Sequence, residues 1–265
     1  MTDNMMVCAV VVMYNTYCQE SPTCMALKKT EKIRVIIYDN STRDMGNREY
    51  CESLNWVYLG GDGNKGISKA YNACIDYIKE KGIKGIICLF DDDTAVEPAY
   101  FESLYKARAK GEKILVPLIY SANKLISPCV LKKGHRVIPF ESKWAVLNYK
   151  GNEISAINSC MAIDTSVFDN YRYDENIFLD GVDHYFISQM HQRGIEIGVM
   201  DYCCNHAFSG TEHPPKQAAL TRFKIYAKDY KYILRNEKLS YIKLVGKRAL
   251  SLCVKYKTLE FLFTR

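Results

Sequence analysis

Four apolar segments, each ending at a polar or glycine cluster, constrain the fold of this chain most strongly. The first, Met5–Tyr14, is a continuous apolar run that ends at Asn15. A segment that is apolar throughout and rich in β-branched residues is typical of a parallel strand buried on both faces. The pattern recurs at Lys32–Tyr38, Trp56–Leu59 and Ile83–Phe90, and a fifth strand is predicted at Lys113–Ile119.

Helical patterns alternate with these strands. Apolar residues recur at helical spacing from Ile67 to Lys81, and Gly82 follows where a C-terminal glycine belongs. Pro98 and Gly111 mark the start and end of another helix. The alternation predicts an α/β fold built from βαβ units, with a mainly parallel sheet flanked by helices. Further elements are expected toward the C terminus: an antiparallel or irregular region over 120–160, a helix at Val182–Arg193, a strand at Ile195–Met200 and two helices after Pro214–Pro215.

The length and composition exclude several classes of protein. The longest apolar segment is far shorter than the roughly 20 residues of a membrane-spanning helix. The N-terminal Met-Thr-Asp-Asn has no basic region of the kind that opens a signal peptide. We therefore expect a cytoplasmic chain whose 11 cysteines are reduced.

The C-terminal fifth of the chain is strongly basic. Residues 216–265 contain 13 Lys or Arg and 3 Asp or Glu, which gives them a net charge of +10. Because the whole chain carries +6, residues 1–215 carry −4. This contrast predicts a main domain over 1–215 followed by a basic amphipathic helical region over 216–265. Two interpretations stay open: these helices contact the anionic cytoplasmic face of a membrane, or they pack on the core or on a second subunit of a homo-oligomer. No nucleic-acid-binding motif accompanies the charge, and no nucleic-acid partner is expected.

The polar strand ends predict a ligand site. In an open parallel sheet, ligands bind beyond the carboxyl ends of the strands, which would bring Asn15, Asp39, the loop 60–66 and the acids 91–93 to one crevice. Three adjacent carboxylates need a counter-ion, and Mg²⁺ or Mn²⁺ suits such oxygen ligands. The alternative is a solvated acidic turn that caps the helix beginning near Pro98, with Asp93 or Thr94 near the N-cap.

The loop Gly61–Gly66 has the spacing GxGxxG between a strand and a helix. This spacing is typical of a dinucleotide-binding loop, although it follows the third strand instead of the first, and the next strand ends in three acids. Backbone amides of such a loop could equally hold the diphosphate of a sugar nucleotide at a helix N terminus. A glycine turn without a ligand is the third interpretation.

A second acidic segment precedes the helix at 182–193. Asp180 and Asp183 are three residues apart, which predicts that they face the same side of its first turn. They are either first-turn acids that stabilise the helix or, beside a sugar diphosphate, candidates for a general base. His206 follows the strand at 195–200, and a GxSxG motif for serine-hydrolase chemistry is absent from the sequence.

Together these motifs resemble the family 2 glycosyltransferases of the GT-A fold, in particular the bacterial rhamnosyltransferase-like branch. The resemblance covers nearly all of residues 5–210, which would divide into a nucleotide-sugar half over about 1–120 and an acceptor half over about 121–215. Its segments, in order, are Val-Val-Val-Met-Tyr-Asn ending at Asn15, Tyr-Asp-Asn-Ser at 38–41, Gly-Asn-Lys-Gly-Ile-Ser-Lys-Ala-Tyr-Asn at 63–72, Phe-Asp-Asp-Asp at 90–93, Ile-Asn-Ser-Cys-Met-Ala-Ile at 157–163 and Phe-Leu-Asp-Gly-Val-Asp at 178–183.

The resemblance also implies roles for individual residues. Asp39 would meet the nucleotide base, Asp91 would face the ribose, and Asp93 would bind a Mn²⁺ or Mg²⁺ ion that bridges the diphosphate. His206 would complete the metal shell, and Ser159 would lie in the acceptor region, where Cys160 stands in place of the family's glycine. The remaining nucleotide-site residues would be Tyr14, Asn15, Asn64, Lys65, Gly66 and Asp92.

One departure from the family concerns the catalytic base. Many members carry adjacent Glu and Asp at the start of the catalytic helix, and Gly181 occupies the position of the second acid. The base is then Asp180 or Asp183, and both stay candidates.

The resemblance implies an inverting, metal-dependent hexosyltransferase. It would move a sugar, with rhamnose as one candidate, from a nucleoside diphosphate to a hydroxyl of a growing, lipid-linked surface glycan. A catalytically inactive sugar-nucleotide-binding or scaffold protein and an NAD(P)-dependent oxidoreductase are the alternatives.

Overall fold

The computed structural model describes residues 6–205 and 214–264. The strands are β1 (Met6–Met13), β2 (Ile33–Asp39), β3 (Val57–Gly60), β4 (Gly85–Asp91), β5 (Ile114–Ser121), β6 (Lys124–Ser127), β7 (Cys129–Lys132), β8 (Arg136–Pro139), β9 (Ile154–Ser155), β10 (Met161–Asp164) and β11 (Ile197–Asn205). The helices are α1 (Pro22–Leu27), α2 (Asn47–Ser53), α3 (Ile67–Glu80), α4 (Pro98–Arg108), α5 (Lys143–Leu147), α6 (Val182–Gln192), α7 (Lys216–Ile233), α8 (Lys238–Tyr256) and α9 (Glu260–Phe263), with a 3₁₀ turn at Thr165–Asp169.

The centre of the described fold is an eight-stranded sheet in the order β11-β5-β10-β4-β1-β2-β3, with β6 paired to β5. Strands β1 to β4 pair in parallel, and β11 is parallel to β5. Between these two groups lies β10, which is antiparallel to both β4 and β5. The predicted mainly parallel sheet with flanking helices is confirmed.

Strand β1 shows why the central segments are apolar throughout. Val7, Ala9 and Val11 pack on the face covered by α1 and α4, and Cys8 and Val10 pack on the opposite face against α3 and α6. All five side chains are fully buried. The core is thus two apolar layers on either side of one sheet, and the β1 sequence satisfies both layers at once.

Within the region 120–160, β6 extends the central sheet, and β7, β8 and β9 form a second, antiparallel sheet in the order β8-β7-β9. This agrees with the predicted antiparallel or irregular region. The apolar segment Trp144–Leu147 lies in the short helix α5, whose N-cap Ser142 accepts a hydrogen bond from the Ala145 amide at 3.2 Å. Val146 is the buried residue of this helix, and its neighbour Trp144 is exposed.

The basic C-terminal region is helical, as expected, and α7 is the helix that joins it to the rest of the chain. Phe223, Tyr226 and Tyr230 of α7 pack against Val245 and Ala249 of α8 in a separate apolar cluster. Other α7 side chains reach the layer that contains α3 and α6. None of the helices within 6–205 and 214–264 is long and apolar enough to cross a membrane.

Candidate active site

The polar ends of the parallel strands meet at one edge of the sheet, as the sequence predicts. Directly after β1, the Tyr14 amide donates to Asp92 Oδ2 at 3.4 Å and the Asn15 amide donates to Ser41 Oγ at 2.8 Å. Asn40, which follows β2, accepts the Lys65 amide at 2.7 Å. These bonds connect the ends of three neighbouring strands and the glycine loop into one crevice.

Tyr14 and Asn15 form the rim of this crevice next to the loop after β2. Asn15 has a left-handed backbone (φ 54°), a conformation that Asn tolerates better than most residues. Its Oδ1 accepts both the amide and the hydroxyl of Thr42, at 3.0 and 3.1 Å. The Tyr14 ring is exposed, so it presents an aromatic surface at the edge of the crevice.

Asp39 is the last residue of β2, and its carboxylate is bonded within the protein. Oδ1 accepts the Ser41 amide at 3.0 Å, and Oδ2 accepts Asn47 Nδ2 at 3.0 Å and the Tyr58 hydroxyl at 3.2 Å. Burial, with the added charge of Asp39, raises the pKa of Tyr58. The side chain is 2% exposed. In this structure Asp39 fixes the loop after β2, and its contact with a nucleotide base stays a prediction.

The glycine loop packs against the segment that leads to α6. Gly66 is the N-cap of α3 with φ 87°, and a Cβ at this position would lie 2.8 Å from the Phe178 carbonyl oxygen. The same oxygen accepts the Ile67 amide at 2.7 Å. The Gly66 amide donates to Asn64 Oδ1 at 3.0 Å. Glycine is required at 66 by its backbone conformation and by this close approach.

Three amides where the loop meets α3 are used inside the protein. Those of Lys65, Gly66 and Ile67 each have a protein acceptor. A dinucleotide or diphosphate held through free amides at a helix N terminus needs these donors. A role for the loop in holding a diphosphate, and the nucleotide contacts of Asn64, Lys65 and Gly66, stay predictions.

Residues of α1 fix the acidic turn after β4. Thr23 Oγ1 donates to the Asp91 carbonyl oxygen at 2.5 Å, and Ser21 Oγ donates to the Asp92 carbonyl oxygen. Asp91 and Asp92 are half-buried and Asp93 is exposed. Burial raises the pKa of Asp92. The N-cap of α4 is Glu97, so the interpretation of the acidic turn as a cap formed by Asp93 or Thr94 is wrong.

The carboxylates of this turn suit a divalent cation that arrives with a substrate. In the part of the chain that the structure describes, no three His, Cys, Asp or Glu side chains are grouped to hold a metal ion by themselves. Mg²⁺ commonly binds one or two carboxylates and takes its other ligands from phosphate oxygens and water. Asp93, exposed at the rim, fits that mode, and His206 lies outside the described residues.

Tyr71 of α3 packs in the same apolar layer as Val182 and Phe186 of α6. It is fully buried, and its pKa is raised by burial and, to a smaller degree, by the charges of Asp91 and Asp183. Its ring centre lies 5.2 Å from that of Tyr173. The segment that leads to Asp183 packs on the start of the same helix, where the Phe178 carbonyl oxygen accepts the Ile67 amide at 2.7 Å.

The two candidate bases have different environments. Helix α6 begins at Val182 with Gly181 as its N-cap, so Asp180 precedes the helix and the predicted shared face in its first turn is wrong. Asp180 forms a two-pronged ion pair with Arg222 of α7, with Nη2 to Oδ1 at 2.8 Å. Asp183 is in the first turn, and its Oδ1 accepts the His184 amide at 2.7 Å.

Ser159 lies behind the acidic turn. Its side chain is buried, and its hydroxyl is 3.3 Å from that of Thr94. Cys160 has a left-handed backbone (φ 59°), a conformation that glycine adopts without strain. The glycine that the family resemblance implies at this position would therefore fit the backbone. An acceptor contact by Ser159 stays a prediction.

Solved structures with a similar fold come from S. aureus TarS. One TarS chain is 14% identical with a TM-score of 0.55 over 84% of this chain and 39% of that chain. A complex of TarS 1–349 with UDP-GlcNAc is 13% identical with a TM-score of 0.54, covering 85% of this chain and 66% of that chain. A complex of the same fragment with UDP is 14% identical with a TM-score of 0.51, covering 85% and 65%.

At these identities the likeness establishes a shared fold alone, and this chain spans 39% of the length of the first TarS chain. No curated protein matches the sequence significantly. The sequence model of the family described as glycosyl transferase family 2 matches residues 8–172. This range includes most of β1, all of β2 to β4, the acidic turn, Ser159 and β10. The chain therefore belongs to glycosyl transferase family 2.

Proposed function

We propose that this chain transfers a sugar from a nucleoside diphosphate to a hydroxyl group of an acceptor. Family membership and the GT-A fold support the reaction class. The observation that carries the proposal is the contact between the glycine loop and the segment before Asp183. The Phe178 carbonyl oxygen accepts the Ile67 amide at 2.7 Å, and the Lys65 amide donates to Asn40 at the end of β2 at 2.7 Å. The complex of TarS with UDP-GlcNAc supports a sugar nucleotide as the donor.

In this proposal Asp183 is the general base. Its carboxylate accepts the proton of the acceptor hydroxyl while that oxygen forms a bond to the anomeric carbon. The bond from this carbon to the diphosphate oxygen breaks, and the diphosphate leaves with the electron pair. Asp180 is not assigned this role because both of its oxygens accept hydrogen bonds from Arg222. Inversion at the anomeric carbon is an expectation from the family.

Asp93 would hold the cation, Mn²⁺ or Mg²⁺, with His206 as a further candidate ligand. A divalent cation at this position supplies Lewis-acid stabilisation of the charge that builds on the leaving diphosphate. Tyr14, exposed at the rim, would flank the nucleotide, and the half-buried Asp91 would face its ribose. The bonds from Thr23 and Ser21 to the turn backbone keep these carboxylates in place.

The acceptor in this proposal is a glycan carried at a membrane surface. Helix α8 exposes Leu239, Leu250 and Val254, and they lie along the same stripe as the exposed Lys243 and Lys247. Apolar and basic side chains on one face suit the surface of an anionic bilayer. Packing on a second copy of the chain is the alternative. Rhamnose as the transferred sugar stays a prediction.

Calorimetry tests the donor proposal. UDP, dTDP and GDP are titrated into the protein with Mn²⁺, with Mg²⁺ and with EDTA, and donor hydrolysis is then followed for the diphosphate that binds. We expect metal-dependent binding of one diphosphate that Asp93→Ala abolishes. The matched control is Asp169→Ala, an exposed acid beside Lys84 at the opposite edge of the sheet, and it should bind as the wild type does.

Other outcomes select the alternatives. Binding of a diphosphate without turnover of any sugar donor would favour an inactive sugar-nucleotide-binding protein. Binding of NAD(P) in EDTA, with no diphosphate bound under any condition, would contradict the proposal and favour an oxidoreductase.

A further inference from the structure

We propose that Asp229 of α7 is a positioning residue for the sugar transfer. It would fix the turn 178–181, which connects the glycine loop to the helix that carries Asp183. This inference rests on the proposed function. It makes α7 part of the catalytic unit, whereas the sequence leaves open whether this helix packs on the core, on a second subunit or on a membrane.

Asp229 is a fully buried carboxylate whose partners are backbone amides. Its Oδ1 accepts the Phe178 amide at 2.9 Å, and its Oδ2 accepts the Leu179 and Asp180 amides, each at 2.8 Å. Three successive amides therefore converge on one side chain that is about 50 residues away in sequence. Hydrogen bonds to an ionised acceptor are about twice as strong as neutral ones, so this contact fixes the backbone of the turn.

Other residues on the same face of α7 contact the rest of the turn. Arg222, two helical turns before Asp229, holds the Asp180 side chain. A Cβ at Gly181 would lie 3.0 Å from Ile233 Cδ1 and 3.2 Å from the Tyr230 hydroxyl. Gly181 also has φ 74°, so both its backbone and its packing against α7 favour glycine. The departure from the family's acidic pair is thus explained by the helix that packs on it.

The turn also contacts the donor side of the crevice. The Phe178 carbonyl oxygen accepts the Ile67 amide at 2.7 Å, and the Ser68 hydroxyl donates to the Ile177 carbonyl oxygen at 2.6 Å. Both donors begin α3, the helix that carries Tyr71. Asp183 follows the turn by two residues. A displacement of the turn would therefore move Asp183 relative to Tyr71 and Asp91.

The Asp229→Asn variant replaces the carboxylate, which accepts three backbone amides, with little change in volume. An amide side chain offers one acceptor oxygen and adds an NH₂ group that faces backbone N–H donors. The matched control is Tyr232→Phe. Tyr232 lies on the same helix as Asp229, and its hydroxyl donates a hydrogen bond at 2.8 Å to Asp174, which lies in the same segment before α6 as the turn 178–181. Asp229→Glu keeps the charge and both acceptor oxygens, so it tests for rescue.

The experiment measures kcat and KM for donor hydrolysis, and amide hydrogen exchange over 178–180 by mass spectrometry. The probe is UDP-GlcNAc, or the dTDP- or GDP-sugar if that diphosphate is the one that binds. For Asp229→Asn we expect a fall in kcat of about 10- to 100-fold, because an error of about 1 Å in the position of a reacting group has an effect of that size. The donor KM should stay within about threefold, because the nucleotide-site residues are unchanged.

Exchange at 178–180 should accelerate in Asp229→Asn and not in Tyr232→Phe, and Asp229→Glu should recover part of kcat. Wild-type kcat in both Asp229 variants, or an equal loss in Tyr232→Phe, would overturn the inference. If Asp229→Asn does not fold, Asp229→Glu decides, because its longer side chain should still lower kcat at constant KM. If the wild type hydrolyses no donor, the proposed function fails, and hydrogen exchange alone decides whether Asp229 fixes the turn.

Discussion

Arg222 binds Asp180 through both terminal nitrogens of its guanidinium group, although the two residues are 42 positions apart. The pair separates two acids that the sequence leaves equivalent. A carboxylate that accepts two hydrogen bonds from Arg is a poor proton acceptor for a substrate hydroxyl. Asp183, three residues later in the first turn of α6, is then the acid that the proposal assigns to the chemistry.

The two acids should therefore respond differently to amide substitution. We expect Asp183→Asn to lower kcat by about 10²- to 10⁴-fold, the usual contribution of a general base, with unchanged stability. Asp180→Asn should lower the free energy of unfolding by about 1.5 to 3 kcal/mol, because Arg222 loses an ionised partner. Urea unfolding and donor hydrolysis, measured on both variants, check the two effects.

The diphosphate affinity of both variants is the control, and it should match that of the wild type. A larger loss of kcat in Asp180→Asn than in Asp183→Asn would show that the two roles are reversed.

Gly66 offers a test of the contact between the glycine loop and the α6 segment. Alanine at 66 brings a Cβ to 2.8 Å from the Phe178 carbonyl oxygen, and Gly66 also has φ 87°. We expect Gly66→Ala to lower the free energy of unfolding by about 1 to 2 kcal/mol from backbone strain and by roughly 1 to 3 kcal/mol more from this overlap. Equilibrium unfolding in urea measures the sum.

Gly63→Ala is the matched control for the overlap. Gly63 has φ 97°, and no atom lies within 4 Å of a Cβ built on it. This variant should therefore show the backbone strain alone. Equal destabilisation of the two variants would mean that the contact with Phe178 contributes nothing.

Local patterns predicted most of the sheet. The strand expected at Lys32–Tyr38 is Ile33–Asp39, and the helix expected at Ile67–Lys81 is Ile67–Glu80. Strand β10 was not predicted, because its four residues are defined by antiparallel pairing with β4 and β5. The last strand extends to Asn205 instead of Met200, because Cys203 and Cys204 resume pairing with β5 after a register shift. Long-range pairing decides both cases.

The sequence predicts the edge of the sheet at which the candidate site lies. It does not predict the α7 side chains that hold the turn before α6. The carboxyl ends of parallel strands meet at one edge of the sheet, so the predicted parallel strands bring Asn15, Asp39 and Asp91 to the same edge. Arg222 and Asp229 carry no comparable signal, because their partners are 42 to 51 residues away and the basic composition of the region is equally typical of a surface helix. Their spacing of seven residues does place them on one face of a helix, but it does not identify the partner.

The stripe on α8 gives a prediction about membranes. Leu250→Glu with Val254→Glu replaces two exposed apolar side chains by acids, and we expect at least about a tenfold loss of binding to phosphatidylglycerol vesicles at low salt. Co-sedimentation measures the bound fraction. Leu147→Glu, at an exposed leucine of α5, is the control and should bind normally.

Failure of the wild type to bind these vesicles would contradict the membrane interpretation. Sedimentation velocity on the same proteins tests the alternative, in which the stripe packs on a second copy of the chain. A wild-type dimer that the double variant dissociates would assign the stripe to a second copy of the chain.

His135 should make the stability of the protein fall in mild acid. Burial and, to a smaller degree, the positive charge of His184 lower the pKa of His135 from 6.5 to about 4. Between these values the unfolded chain binds a proton that the folded chain does not, so the free energy of unfolding decreases as the pH falls from 6.5 to 4 and is unaffected by this group above 6.5. The expected loss in the free energy of unfolding is about 1 to 2 kcal/mol, because His135 is only half-buried and water screens part of the effect.

Urea unfolding of the wild type and of His135→Gln from pH 7 to pH 4 measures this loss. The variant should lose less stability over this interval, and parallel curves for the two proteins would show that His135 is not the group responsible.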